Sequence, residues 1–398
     1  MTHPSHDELA RVVRDNAGRL AASLVYLVGD FAAAEDLVQD AIEAALTHWP
    51  VEGIPERPDA WLYTVARRRG LDALRRESRY REKLTLMACP AGSQPDDRLR
   101  LVFTCCHPAL PRTGQVALTL RVVCGLTTAQ IAKAFLIPES TVGQRITRAK
   151  RKIRGAGIPY RIPAADELGA RLAEVLAVIY LLFNEGYLSS GGDNARSRDL
   201  TDDAEFLAAL LHDLMPTEPE VAGLLALIRL HRARAAARFD HNGEIIQLQH
   251  QDRSRWDHEV IADAGRLIAL AAALKRPGPY QLQAAIVACH AEAERWEDTD
   301  WTQIAVLYDM LLYFAPSPVT RLHRAIALRY VTGPAAALGE VDALADELNG
   351  YHLFHATRAE LLRDLGHPGQ AQAADQRALA LTANPAERSL LRQRLNWT

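Results

Sequence analysis

Residues 126–154, LTTAQIAKAFLIPESTVGQRITRAKRKIR, leave few folds open to this chain. Val142, Ile146, Ala149 and Ile153 recur at steps of four, three and four, the spacing of one helix face. Before them, Thr127 or Thr128 can cap a short helix holding Ile131, Ala132 and Phe135, and Pro138 cannot extend that helix. A second helix therefore starts at Glu139, with Ser140, Thr141, Gln144, Arg145, Thr147, Arg148, Arg151 and Lys152 facing outward. From Arg145 to Arg154 there are six basic residues and no acid. This pattern predicts a helix-turn-helix whose second helix enters a major groove. The short polar side chains of its first turn face base edges, and the later Arg and Lys residues meet phosphates. The competing reading is a solvated basic helix in an ordinary bundle. The turn, the inward Ala132 and the one-sided charge argue against it.

The same helical spacing recurs along most of the chain and strand-like alternation is scarce, so the expected class is all-α. With 48% hydrophobic residues in 398, there is enough apolar surface for real cores, and disorder of the whole chain is excluded. The 46 Lys and Arg against 49 Asp and Glu give a net charge of -3, so any signal for nucleic acid must be local. Helices are expected at 7–28, 32–47 and 58–80, with Pro50 and Pro55 breaking the chain after the second. Turn formers across 89–97 read as a linker, and Gly155, Gly157, Pro159 and Pro163 close the next part. The longest apolar stretch, 172–183, is too short to span a bilayer, and the first ten residues carry no apolar core. No membrane partner and a cytoplasmic location are the expectation. Five irregularly spaced cysteines suit reduced thiols rather than a disulfide framework.

Two further segments carry chemistry. GDFAAAEDLVQDAIEAALTHW turns Leu37, Val38, Ala41, Ile42 and Ala45 inward and places Asp36, Gln39, Asp40 and Glu43 on one face. Residues 1–50 hold eight acids and three Lys or Arg, a stripe suited to a protein partner rather than DNA. Taken alone, it is better read as an ordinary solvated face. RPDAWLYTVARRRGLDALRRESRYREK sets Trp61 and Tyr63 beside Arg67, Arg68, Arg75 and Arg76. Aromatics interleaved with arginine suit unstacked single-stranded DNA. Read alone, this segment is better accounted for by an amphipathic helix with buried aromatics.

In combination, the acidic helix, the aromatic-basic helix, the linker and the basic helix-turn-helix resemble a bacterial RNA polymerase sigma factor of the extracytoplasmic-function (ECF) group. The resemblance covers about the first 160 residues. It implies region 2 at 1–83, a linker at 84–96 and region 4 at 97–158. It implies that Asp36, Gln39, Asp40 and Glu43 dock on core RNA polymerase. The Trp61–Arg76 segment would melt and read the −10 element of promoter DNA, and the second helix of the helix-turn-helix would read the −35 element. FTCCHPAL, YLLFNEGY, LLALIRLHRAR, QDRSRWD and GPYQLQAAI resemble the subgroup with a large C-terminal helical extension, here 164–398. That resemblance implies an extension that modulates activity through intramolecular contact with the sigma domains. Gly333 and Gly366, 33 residues apart, each follow an Ala/Leu-rich segment, as in tetratricopeptide units.

The blocks Asn184-Glu185-Gly186-Tyr187 and 252–257 gather polar residues beside apolar helices, as an interface or ligand groove would. Helix capping by Asn184 and Glu185, and an Arg253–Asp257 pair across one turn, is the plainer expectation. Cys105-Cys106-His107 lacks the spacing and the second ligand pair of a zinc site, so buried cysteines and no metal are expected. His290 and Glu292 sit in an Ala-rich helix and read as structural. The sequence carries no phosphate loop, HExxH, GxSxG or dinucleotide fingerprint, so no enzyme and no cofactor are expected. The rival reading is a conventional helix-turn-helix regulator with a C-terminal ligand-sensing domain.

Overall fold

The computed structural model describes residues 12, 16–17, 20–21, 23–25, 28, 31–76, 95–135, 137–188, 194–241 and 244–396. Among these the ordered elements are helices, with one isolated β-bridge between Phe239 and Ile245, so the all-α class holds. The expected linker centre and the end of the helix at 58–80 lie outside the described residues. The chain divides into two compact units. The first holds residues up to Glu185 together with 202–207, and the second holds 186–201 and 208–398.

In the first unit, helical residues between 12 and 28 bury Ala17, Leu20, Ala21, Leu24 and Val25. Helix α1 (Phe31–Glu52) and helix α2 (Pro58–Arg76) pack on each other. The apolar face of α1 is buried as its spacing requires: Leu37, Val38, Ala41, Ile42 and Ala45 are all in the core. Pro50 does not break α1, contrary to the expectation. It falls in the last turn, where little of the backbone ladder remains to be lost, and the helix ends instead at Gly53, whose φ is +87°. Helix α3 (Pro95–Cys105) and helix α4 (Arg112–Val122) lead into α5 (Thr128–Ala134) and α6 (Glu139–Gly155). Helix α7 (Ala165–Leu188) follows and belongs to this unit as far as Glu185. There Arg171 donates to the Phe103 carbonyl at 2.5 Å and Arg112 pairs with Glu174 at 3.0 Å. Asn184 and Glu185 lie inside α7, so they cap no helix end.

Helix α8 (Asn194–Leu214) is divided between the units. The second unit continues through α9 (Pro219–Ala233), α10 (His258–Ala273), α11 (Pro279–Glu292), α12 (Trp301–Phe314), α13 (Pro318–Val331) and α14 (Pro334–Asp342). It ends with α15 (Ala345–Leu348), α16 (His352–Asp364), α17 (Pro368–Leu381) and α18 (Pro385–Asn396). Proline opens many of these helices, where its missing N–H would have had no partner. Helix α11 packs chiefly on α9, and from α12 onward the longer helices pack chiefly on their sequence neighbours. One core joins Leu282, Ile286, Ile304 and Leu311, and the next joins Leu322, Val341, Phe354 and Leu361. Gly333 and Gly366, at φ +93° and +75°, make the turns between α13 and α14 and between α16 and α17. Helices α9 and α11 approach so closely at Gly223 that a Cβ there would lie 2.6 Å from the Gln281 nitrogen. Glu220 of α9 caps α11, accepting from the backbone nitrogens of Tyr280 and Gln281 at 3.0 and 3.1 Å.

Candidate nucleic-acid interface

The helix-turn-helix is closed at both ends by local chemistry. Thr127 Oγ1 accepts from the Gln130 nitrogen at 3.2 Å while Gln130 Oε1 accepts from the Thr127 nitrogen at 2.8 Å, a reciprocal capping box that starts α5. Helix α6 begins at Glu139, immediately after Pro138, as the sequence predicts. It ends in a Schellman motif: Gly157 takes φ +61°, the Ile158 nitrogen donates to the Ile153 carbonyl at 3.0 Å and the Gly157 nitrogen to the Arg154 carbonyl at 3.3 Å. Val142, Ile146, Ala149 and Ile153 are buried. Ser140, Gln144, Thr147, Arg148, Arg151 and Lys152 are exposed, and Thr141 and Arg145 are half-buried. Arg148, Arg151 and Lys152 line an open cavity of about 470 Å³ with Ala109, Pro111, Gly155 and Ala156. Three cations over an apolar floor can neutralise a phosphodiester backbone.

On α2, Arg67 and Arg68 are exposed and Tyr63 is half-buried. Trp61 is also half-buried and meets the fully buried Trp49 edge-on, with ring centres 5.4 Å apart. Trp61, Val65, Arg68 and Arg69 line a second cavity, of about 290 Å³, with Ala44 and His48. Of the aromatics and arginines of this segment, Trp61, Arg68 and Arg69 thus share one concavity, and Tyr63 and Arg67 do not line it. The side chains of Arg75 and Arg76 lie outside the described residues.

The acidic face of α1 is less open than its spacing suggests. Asp36 and Glu43 are exposed, but Asp36 accepts from Lys150 of α6 at 2.8 Å. Asp40 is half-buried and pairs with Arg69 at 3.2 Å. Gln39 is a correction. It is buried, and its Nε2 donates to the Arg121 carbonyl at 3.2 Å, because α4 packs over this part of α1. Sequence reasoning passed over Glu35, whose buried carboxylate accepts from Arg121 Nε at 3.0 Å and also pairs with Lys150. The signal was present. Glu35 shares the inward spacing of Val38 and Ile42, where an acid needs a cation from elsewhere.

The other singled-out groups resolve as follows. Cys105 and Cys106 are buried in the core, and Cys106 Sγ lies 3.5 Å from Thr119 Oγ1. Burial pushes the Cys106 thiol up to about 11 and that of Cys105 well above its usual value. His107 Nδ1 accepts from the Ala109 nitrogen at 3.1 Å, and burial is the main cause that lowers its pKa. Among the described residues no three His, Cys, Asp or Glu side chains gather as a metal site would require. Arg253 and Asp257 do not pair. Asp257 accepts from the Val260 nitrogen at 3.1 Å as the N-cap of α10, and Arg253 reaches the carbonyls of His290 and Ala293.

Comparison with known proteins agrees with this geometry. The family described as Sigma-70 region 2 matches residues 12–80, and Sigma-70, region 4 matches residues 100–153. A family of unknown function, DUF6596, matches residues 171–272. An uncharacterized Rhizobium meliloti protein, R00370, is 45% identical over 377 residues, covering 91% of this chain and 89% of its own. The Mycobacterium tuberculosis ECF RNA polymerase sigma factor SigL is 35% identical over 136 residues, 32% of this chain and 76% of SigL. The probable ECF RNA polymerase sigma factor SigI of the same organism is 30% identical over 174 residues, 40% of this chain and 59% of SigI. No solved structure matches the chain. A chain with both sigma regions, a capped basic recognition helix and these relatives belongs to the ECF RNA polymerase sigma factor family, in a form that carries a helical C-terminal extension.

Proposed function

We propose that this sigma factor docks on core RNA polymerase through region 2 and directs it to promoters by reading the −35 element with α6. Ser140, Thr141, Gln144, Arg145, Thr147 and Arg148 face the bases, while Arg151 and Lys152 meet phosphates. Trp61, Tyr63, Arg67, Arg68, Arg75 and Arg76 engage the opened −10 strand. Asp36, Asp40 and Glu43 form the polymerase-facing surface. Region 2 spans 1–83, the linker 84–96, region 4 97–158 and the tetratricopeptide-like extension 164–398. The observation that carries this reading is α6 itself. Four apolar residues anchor one side, and the other side presents Arg148, Arg151 and Lys152 around one open cavity. Among the described residues no helix is long and apolar enough to cross a membrane, which supports a cytoplasmic protein.

The extension modulates initiation through α7. The support is the contact of Arg171 with the Phe103 carbonyl and of Glu174 with Arg112, both on helices next to the helix-turn-helix. Run-off transcription with purified core polymerase, using the chain's own upstream region as template, tests both statements. Initiation that requires the added chain is the expected result. Its absence, where a control sigma factor works, would remove the promoter role. An Arg171→Ala chain should bind core polymerase as before but initiate at a changed rate. An unchanged rate would sever the extension from regulation.

A further inference from the structure

The second unit holds a cluster of cations and hydrogen-bond donors that promoter recognition does not use. Arg234 follows α9, Arg238 lies four residues on, and Arg253 sits in the turn before α10. Arg234 is only 9% exposed; its Nη2 donates to Tyr187 Oη at 3.1 Å and lies 3.3 Å from His231 Nδ1. Arg238 Nη1 donates to the Tyr187 carbonyl at 3.1 Å, with its guanidinium 3.5 Å over the Tyr187 ring. Arg253 Nη1 donates to the carbonyls of His290 and Ala293 at 2.5 and 2.6 Å. The Trp256 ring centre lies 4.7 Å from the Arg253 guanidinium and 5.8 Å from that of Arg234.

Every one of these partners is neutral. Among the described residues none of the three arginines forms an ion pair; the nearest carboxylate influence, on Arg253, comes from Glu297 and Asp298, and Asp298 is held by Arg295 at 2.9 Å. Four polar atoms of the cluster are buried without a hydrogen-bond partner: Arg234 Nε, Arg253 Nη2, Trp256 Nε1 and His290 Nδ1. The first three can only donate. Burial, then Arg234 and Arg253, lowers the His290 pKa to about 4, so its ring adds no charge at neutral pH. A metal cation would find one imidazole nitrogen, His290 Nδ1, and two guanidinium cations beside it. Water would accept from two donors and leave the charge in place. An oxyanion supplies acceptors and negative charge together, the match for which guanidinium is best suited. Arg234 and Trp256 are buried and Arg253 is half-buried, which excludes a polymer backbone from these donors.

We propose that Arg234, Arg253 and Trp256 form a binding site for a small oxyanion, a phosphate or carboxylate group, inside the C-terminal extension. The site shares no residue with the DNA-facing surface and stands independently of the promoter reading.

Isothermal titration of the full chain with sodium phosphate and with sodium acetate, each against sodium chloride at equal ionic strength, tests it. Saturable one-site binding of phosphate or of acetate is expected, and whichever binds names the oxyanion. Arg253→Gln and Trp256→Phe should each weaken that binding by about tenfold. Arg151→Gln, in the cavity beside α6, should leave it intact. Trp256→Phe keeps an aromatic ring in the core but loses the N–H together with part of the indole, so thermal unfolding is read beside the titration to show that the variant is folded. Heats equal to those in chloride, or binding unchanged by Trp256→Phe, would overturn the proposal.

Discussion

Glu35 accepts a hydrogen bond from Arg121 Nε at 3.0 Å across 86 residues of chain, and the same carboxylate pairs with Lys150 of the recognition helix. Its side chain is 2% exposed and both cations are 17% exposed, so this is a nearly dry junction between α1, α4 and α6. Removing one partner leaves buried charge uncompensated, which typically costs about 3–5 kcal/mol. Glu35→Gln should therefore destabilise the first unit by about 3 kcal/mol in denaturant unfolding, and pairing it with Lys150→Met should recover part of that loss. Additive losses in the double variant would show that the two residues do not interact.

The proposed reading assigns Arg151 and Lys152 to phosphates and Gln144 to a base. Arg151→Ala and Lys152→Ala should weaken promoter binding about equally on all sequences, and each should lower the salt slope by about 1. Gln144→Ala should instead relax preference at one base pair, at a cost of about 1–3 kcal/mol. Fluorescence anisotropy over a salt series, with matched and mutated −35 duplexes, distinguishes the two behaviours. A uniform loss for Gln144→Ala would move that residue to the backbone-contacting group.

Asp375 of α17 is fully buried and is held by Arg363 of α16. Arg363→Ala strands that carboxylate and should cost about 3 kcal/mol in unfolding of the second unit. Arg363→Ala with Asp375→Leu should be closer to wild type than Arg363→Ala alone, since an apolar pair leaves no charge to satisfy. A double variant no better than the single one would refute this account.

His290 gives the second unit a defined pH response. Its folded pKa is lowered to about 4, first by burial and then by Arg234 and Arg253. An unfolded chain takes up the proton near pH 6.5 and the folded one does not until about pH 4, so the unfolded state binds more protons between these values. Stability should fall as pH drops from about 6.5 to 4, by up to about 3 kcal/mol, and show no further loss from this group below that. His290→Gln should flatten the loss in that window, read by thermal unfolding at pH 7, 6, 5 and 4.5. An equally steep loss in the variant would place its origin in other groups.

Local periodicity and turn chemistry made much of the fold legible. The start of α6 at Glu139, its buried face of Val142, Ile146, Ala149 and Ile153, and the inward face of α1 all follow from side-chain spacing within one helix. Gly157, Gly333 and Gly366 mark turns because a positive φ is cheap only for glycine. Pro50 misled because a proline is costly in mid-helix and mild in a last turn, and the sequence did not show where α1 would end.

The partners of the polar groups were decided by tertiary structure. Spacing places Asp36, Gln39, Asp40 and Glu43 on one face but says nothing of what covers it. Helix α4 comes from 82 positions away to bury Gln39, and α6 from 114 positions away to engage Asp36. Arg253 and Asp257 are one turn apart in sequence, yet each finds a nearer match, a pair of carbonyls for one and a helix N-terminus for the other. The sequence by itself determined the helices, their faces and the family of this sigma factor, because those depend on neighbours within a few residues. Which charges are paired, and which donors in the extension are left without an acceptor, depended on segments brought together only by packing.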